Sequence, residues 1–239
     1  MNLLLFTPQE AGQPLPRTDV RAVHLLKILQ RQVGDSFDAG LINGPRGKGF
    51  IVVIDSDHLN LRFAWEAIPP PLDAITLILG LPRPQTARKI LRETTALGVH
   101  SLHFVLTEKS EPSYASSALW STGEWEKHLI AGAEQAFCTR VPEVTHGRNL
   151  AEVLAFLPRN ATRLALDNYE ASAALSATQV APATAAMVAL GPERGWSASE
   201  RLQLRAGGFV LVHLGPRVLR LETATIAAVT LLKAKLGTM

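Results

Sequence analysis

Leu214-Gly215-Pro216-Arg217-Val218-Leu219-Arg220-Leu221-Glu222-Thr223-Ala224 is the stretch on which the fold of this 239-residue chain turns. It follows an apolar run, residues 209–214, and opens onto residues 222–235, which have helical character. A second copy of its beginning lies upstream, in Leu190-Gly191-Pro192-Glu193-Arg194-Gly195-Trp196-Ser197. That copy also follows an apolar run, residues 185–190, and precedes a short helical stretch. Glycine lets a ligand approach the backbone and proline fixes the turn. Ordinary strand-to-helix turns use the same two residues, so one copy carries little. Two copies, the second surrounded by Arg217, Arg220 and Glu222, point to a ligand site. In an open α/β sheet such a site lies at the C-terminal ends of the strands.

Working outward, residues 74–79, 101–106 and 163–167 are further apolar strands, and 141–144 is a short one. Residues 84–97 read as a helix stopped by Gly98, and residues 149–156 as another. In 113–138 the residues Trp125, Leu129, Ala133 and Phe137 recur every four positions, one buried helical stripe. Residues 171–186 read as a loop. Strands alternating with helices predict a parallel α/β sheet covered on both faces. Pro69-Pro70-Pro71 is a stiff connector. Before it the rhythm differs. Residues 3–6, 37–41, 50–55 and 61–67 are short strands, and Thr18 is placed to cap a helix running to Gln32 with His24 and Lys27 on its polar side. Residues 43–49 form a glycine-rich hairpin loop carrying Arg46 and Lys48, two cations able to meet a phosphate backbone. These elements predict a small β-barrel. The domains are therefore 1–68, a proline linker 69–71, and 72–239.

Composition narrows the class. Hydrophobic residues are 47% and charged residues 19%, a globular mix that excludes a disordered chain. The single Cys138 excludes a disulfide framework and a four-cysteine zinc site, and it reads as a buried thiol. The seven histidines are scattered with no zinc spacing, so no metal is expected. No apolar run approaches a membrane span and the N-terminus lacks a basic signal region, so a soluble, cytoplasmic protein without a membrane partner is expected. Of 24 basic residues 17 are arginine, which suits an RNA surface and equally suits a GC-rich genome. Gly44–Gly49 fails the phosphate-loop spacing. Gly80-Leu81-Pro82-Arg83-Pro84 lacks the dinucleotide fingerprint.

The 214–224 stretch, with the earlier Gly-Pro-Glu-x-Gly, resembles the signature of the bacterial 16S ribosomal RNA (uracil-N3)-methyltransferases of the SPOUT superfamily. His24-Leu25-Leu26-Lys27-Ile28-Leu29, Leu97-Gly98-Val99, Thr107-Glu108-Lys109-Ser110 and Arg140-Val141-Pro142-Glu143 agree, in the family's order over nearly the whole chain. The resemblance implies a PUA-like RNA-binding barrel, a SPOUT-type parallel α/β domain with a trefoil knot, and a homodimer. It implies S-adenosyl-L-methionine as cofactor, held by Leu166, Leu190, Gly191, Pro192, Glu193, Gly195, Leu214, Gly215, Val218, Leu219 and Thr223. RNA contacts are expected from His24, Lys27, Arg46, Lys48 and Arg140, with 16S RNA or the small ribosomal subunit as partner. The chain departs from the family pattern at Arg194, at Leu221, in residues 81–84, and at Glu93 and Ala96.

Methylation at uracil N3 needs in-line positioning, removal of the N3 proton and stabilisation of the developing anion. Arg217 and Arg220 are the candidates for anion stabilisation, and Glu222 for orienting an arginine or accepting a proton. An Arg220–Glu222 structural pair is an equal reading. Two other functions stay open: a methyltransferase of another RNA site, and a non-catalytic RNA-binding or ribosome-assembly protein that keeps the fold.

Overall fold

The computed structural model describes residues 3–158, 160–180 and 184–239. They pack as two units, one over 3–71 and 130–141, the other over the described residues of 72–129 and 142–239.

In the first unit, β1 (Leu4–Phe6), β2 (Leu15–Pro16), β3 (Ser36–Leu41), β4 (Arg46–Ile54) and β5 (His58–Trp65) form one mixed sheet in the order β1-β3-β4-β5-β2. Only β1 and β3 pair in parallel. Phe6, Phe37 and Phe63 meet edge-on or tilted in its core, beside Leu25, Ile51 and Leu59. The helical stretch differs from its sequence reading at both ends. Asp19, not Thr18, is the cap: its carboxylate accepts from the Arg21 amide, and α1 (Val20–Val23) runs on as a wider π-turn over His24–Ile28. The helix stops there rather than at Gln32, and Gln30 takes a left-handed φ of 53°. The glycine-rich loop is also shorter than expected. Only residues 42–45 turn, while Arg46, Gly47, Lys48 and Gly49 lie inside β4. A Cβ on Gly47 would overlap the Ala64 carbonyl, and one on Gly49 would overlap the Phe37 ring. These glycines admit a neighbouring strand and a core ring, which a local rule reads as loop.

The second unit holds β6 (Asp73–Gly80), α2 (Pro84–Ala96), β7 (Val99–Leu106), α3 (Ala118–Ser121), the start of α4 (Glu124–Gln135) up to Leu129, β8 (Glu143–Asn149) and α5 (Leu150–Phe156). After these come β9 (Thr162–Leu166), β10 (Ala173–Ala174), β11 (Ala186–Leu190), α6 (Ala198–Ala206), β12 (Val210–His213) and α7 (Leu221–Leu236). The strands form one sheet in the order β10-β12-β9-β11-β6-β7-β8, and every pairing is parallel. All five residues of β11 are buried, as expected for a strand covered on both faces. Ile78, Val105, Met187, Ala189 and Leu204 enclose Trp196, which is fully buried. Pro84 starts α2, where its missing N–H costs nothing. Asn149 with Glu152, and Ser197 with Glu200, form reciprocal caps on α5 and α6. The stretch read as a loop contains β10 and a 3₁₀ turn, Leu175–Ala177, and its residues 181–183 lie outside the described residues.

The stripe through Trp125, Leu129, Ala133 and Phe137 is not one continuous helical face. Helix α4 ends at Gln135 and Phe137 takes a left-handed φ of 55°. Residues 130–141 belong to the first unit: Ala133, Ile130, Phe137 and Val141 pack with Leu3 and Leu5, and Glu134 accepts the Leu5 amide at 3.0 Å. Among the described residues no helix is long and apolar enough to cross a membrane, and no cluster of metal-ligating side chains occurs.

Candidate functional site

Three neighbouring strands end together. Leu190 of β11 pairs with Leu166 of β9, and Val212 of β12 pairs with the same Leu166. Because the strands are parallel, the segments that follow leave the sheet on one edge, and between them lies a cleft of about 160 Å³. Leu166, Leu190, Gly191, Pro192, Glu193, Gly195, Leu214, Val218 and Leu219, all expected from sequence, line it. Arg217 lines it too. Gly215 and Thr223 do not, and neither do Arg220 and Glu222.

The first turn is tightly built. The Gly195 amide donates to the Pro192 carbonyl at 2.7 Å, and Gly195 has a φ of 66°. A Cβ on Gly191 would lie 2.9 Å from the Trp196 amide nitrogen, so the turn closes only around glycine. Outside the turn, the Glu193 carboxylate accepts the Arg83 amide at 3.2 Å. The Lys109 ammonium donates to the Trp196 carbonyl at 2.8 Å. Glu200 receives both the Ser197 and Glu108 amides, and hydrogen bonds from Ser199 and Ser197 hold the Glu108 carboxyl below its ordinary pKa.

The second turn is anchored by His213, whose Nδ1 accepts the Gly215 amide at 3.0 Å. Gly215 has a φ of 103°, and nothing lies within 4 Å of a Cβ built there. Glycine is needed at this position for backbone conformation rather than for room. Arg220 is the residue capping α7 and its side chain makes no capping bond. Glu222 pairs with Lys89 at 3.4 Å, not with Arg220, and its own amide together with Lys89 keeps its carboxyl ionised below the usual range. The Arg220–Glu222 pairing, one of two readings of these residues, is not made; Glu222 pairs with Lys89 instead.

The third wall carries residues that sequence reasoning missed. Buried Asp167 accepts the Tyr169 and Glu170 amides at 2.8 and 2.7 Å and pairs with Arg201 Nε at 2.7 Å. Asp167, Asn168 and Tyr169 all line the cleft, with Arg194, Leu221 and Ala224. The available signal was Asp-Asn directly after an apolar strand, a composition that closes an Asx turn.

The expected RNA contacts lie in the first unit. Lys27 is exposed on the π-turn and His24 half-buried. The others are engaged in structure. Arg46 donates to the Phe137 carbonyl at 3.0 Å and covers the Phe137 ring, and Lys48 pairs with Asp38 at 2.7 Å. Arg140 reaches the carbonyls of Asn43 and Pro69 at 3.5 and 3.4 Å.

Comparison with known proteins is consistent with this geometry. A family model for an RNA methyltransferase domain matches residues 69–233. The chain is 35% identical over 237 residues to the ribosomal RNA small subunit methyltransferase E of Treponema pallidum, covering 95% of this chain and 89% of that protein. It is 29% identical to the ribosomal RNA small subunit methyltransferase E 1 of Borreliella burgdorferi over the full length of both. The crystal structure of the methyltransferase E of Neisseria gonorrhoeae bound to S-adenosyl methionine superposes with a TM-score of 0.80, at 25% identity, over 98% of this chain and 97% of that one.

Proposed function

The chain belongs to the RNA methyltransferase family, among the ribosomal RNA small subunit methyltransferase E proteins, and from that premise we propose that it methylates N3 of a uridine in 16S ribosomal RNA with S-adenosyl-L-methionine. The observation that carries this reading is the cleft in which both Leu-Gly-Pro turns and the end of β9 meet. Its residues fit the cofactor. Gly191 and Gly195 give a backbone cradle that a side chain would fill or strain, while Leu190, Leu214 and Leu166 supply apolar walls. When bound there, the cofactor supplies an electrophilic methyl group. Binding falls to Leu190–Gly195 and Leu214–Leu219, while Thr223, in the first turn of α7, lies off the cleft wall.

The rest of the chemistry is the work of this chain. Arg217, on the cleft wall, is placed to stabilise charge developing on the uracil oxygens. Arg220 sits at the N-terminal end of α7, where the helix dipole favours the same negative charge. Glu222, held as an anion against Lys89, positions the first turn of α7. The first unit, residues 3–71 joined by 130–141, serves as a PUA-like barrel that grips RNA through Lys27 and His24. The second unit contains the trefoil knot. Two observations support it: β12 lies between β10 and β9 rather than at a sheet edge, and Lys233 near the chain end bonds Asp73 and the Leu97 carbonyl. Exposed Val218 and Ile226 support a homodimer, and the ribosomal substrate a cytoplasmic location.

Mass spectrometry of 16S RNA from a strain lacking the gene tests the proposal. Loss of one N3-methyluridine, restored by the wild-type gene, is the expected result. A methyl lost from another RNA would favour the other-substrate reading. Unchanged RNA, together with no cofactor binding in calorimetry, would favour a non-catalytic role.

A further inference from the structure

Tyr169 is the one aromatic side chain among the described residues lining the cleft, and it is 78% exposed. An aromatic ring left so open at a cleft is unusual in a folded chain unless something covers it. It is also held in place. Its amide donates to Asp167 Oδ1, and Asp167 Oδ2 takes Arg201 Nε at 2.7 Å. The Arg201 guanidinium carbon lies 5.3 Å from the centre of the Tyr169 ring. Arg201 and Arg205 both reach Glu170, at 3.6 and 2.7 Å, so the loop after β9 is fastened to α6 at three points. Helix α6 begins directly after the Gly191–Trp196 turn. The loop is therefore held, and the ring stands beside that turn over the Arg201 guanidinium.

The two flat groups that could meet it are the cofactor's adenine and the target uracil. Leu190, at the foot of the cleft, is almost completely buried, whereas Tyr169 stands at its rim. A group held by the first glycine turn rests on buried Leu190, while the second turn, with Val218 81% exposed, shares the open rim with Tyr169. A base arriving from RNA must enter from solvent, past the rim, after leaving its own stack. Every base has a π-face, and an aromatic ring already fixed by a guanidinium receives one without further ordering cost.

We propose that Tyr169 is a positioning residue that stacks on the target uracil as it enters the cleft, with Arg201 and Asp167 holding the ring for that purpose. This rests on the methyltransferase reading above. The test uses the full-length protein and small ribosomal subunits from a strain lacking the gene. Three quantities are measured for wild type, Tyr169→Ala, Tyr169→Leu and Tyr169→Phe: melting temperature, S-adenosylmethionine affinity by calorimetry, and kcat and KM for the subunits. The alanine and leucine variants should keep the wild-type melting temperature and cofactor affinity while losing about 5- to 100-fold in kcat/KM for RNA. The phenylalanine variant, which keeps the π-face, should retain near-wild-type values. A matching loss of cofactor affinity in Tyr169→Ala would assign the ring to the adenine and overturn the proposal. So would unchanged kcat/KM, or a leucine variant as active as phenylalanine. A wild-type chain that binds cofactor and methylates keeps the family reading intact in all those cases. Only failure of the wild type itself would overturn both.

Discussion

Gly191 and Gly215 occupy matching places in two Leu-Gly-Pro turns, yet the chain needs glycine at them for different reasons. At Gly191 a Cβ collides with the backbone of Gly195 and Trp196, so Gly191→Ala should open the turn and abolish measurable cofactor binding in calorimetry. At Gly215 the space is open and only the φ of 103° resists a side chain. Gly215→Ala should cost roughly 1–3 kcal/mol of backbone strain and weaken cofactor binding by a smaller factor. Equal effects of the two substitutions would contradict this distinction. Arg220 gives a cleaner separation between stability and turnover. Its side chain caps nothing, so Arg220→Ala should stay within about 0.5 kcal/mol of wild-type stability. If it stabilises the uracil anion, kcat should fall on the order of 10²–10³-fold with cofactor affinity kept. A wild-type rate in that variant would remove Arg220 from the chemistry. The two Leu-Gly-Pro turns were legible because turn chemistry is local, whereas Leu166 and Leu219 came only from the family resemblance. The Lys89–Glu222 pair was not, since its partners lie 133 positions apart.

At the scale of elements, the cap of α6 ties the site to the sheet. Glu200 is buried and accepts both the Ser197 and Glu108 amides. Glu200→Ala leaves the buried Ser197 amide without its partner, at roughly 1–3 kcal/mol, and releases the part-buried Glu108 amide, so it should lower the melting temperature and loosen the Gly191–Trp196 turn together. A stable variant with normal cofactor affinity would show that the cap and the turn are uncoupled. Strand β7 carries a second element-scale property. Its His103 is buried, bonded to Thr145 at 2.8 Å and set edge-on against Phe156. Burial, opposed by Glu143 and aided by Arg148, pushes the ring pKa down to about 4. Between the ordinary value of 6.5 and about 4 the unfolded chain binds a proton that the folded chain refuses. Stability is therefore full above pH 6.5 and declines as pH falls toward 4. Melting temperatures across that window should fall more steeply for wild type than for His103→Gln, and parallel curves would refute the assignment. Most strands and helices were readable from apolar periodicity. Among the exceptions, the one at Gly47 and Gly49 arose because those glycines answer to Ala64 and Phe37, which no local pattern announces.

For the molecule as a whole, the division of the chain matters most. Residues 130–141 pack with Leu3 and Leu5 in the first unit, so a cut at residue 71 strips the cover from Ala133, Ile130 and Val141. A fragment of residues 72–239 should melt lower and aggregate more readily than the full chain, measured by scanning calorimetry and light scattering. A fragment as stable as the full chain would show that those contacts contribute little. If the first unit grips RNA, affinity of the intact protein for 16S RNA should fall as salt rises, and a flat response would argue against phosphate contacts. The sequence by itself determined the parallel α/β character, the two Leu-Gly-Pro turns and the family to which they point, because helical period, apolar runs and turn residues are written in neighbouring positions. Only the tertiary structure decided that β12, β9 and β11 stand side by side and so gather Leu166, Leu190 and Leu214 around one cleft. It alone placed Tyr169 over Arg201, engaged Arg46 and Arg140 with main-chain carbonyls, and set residues 130–141 in the first unit. Those outcomes depend on which distant surfaces can be buried together and which buried charges find partners, and packing of the whole chain settles both.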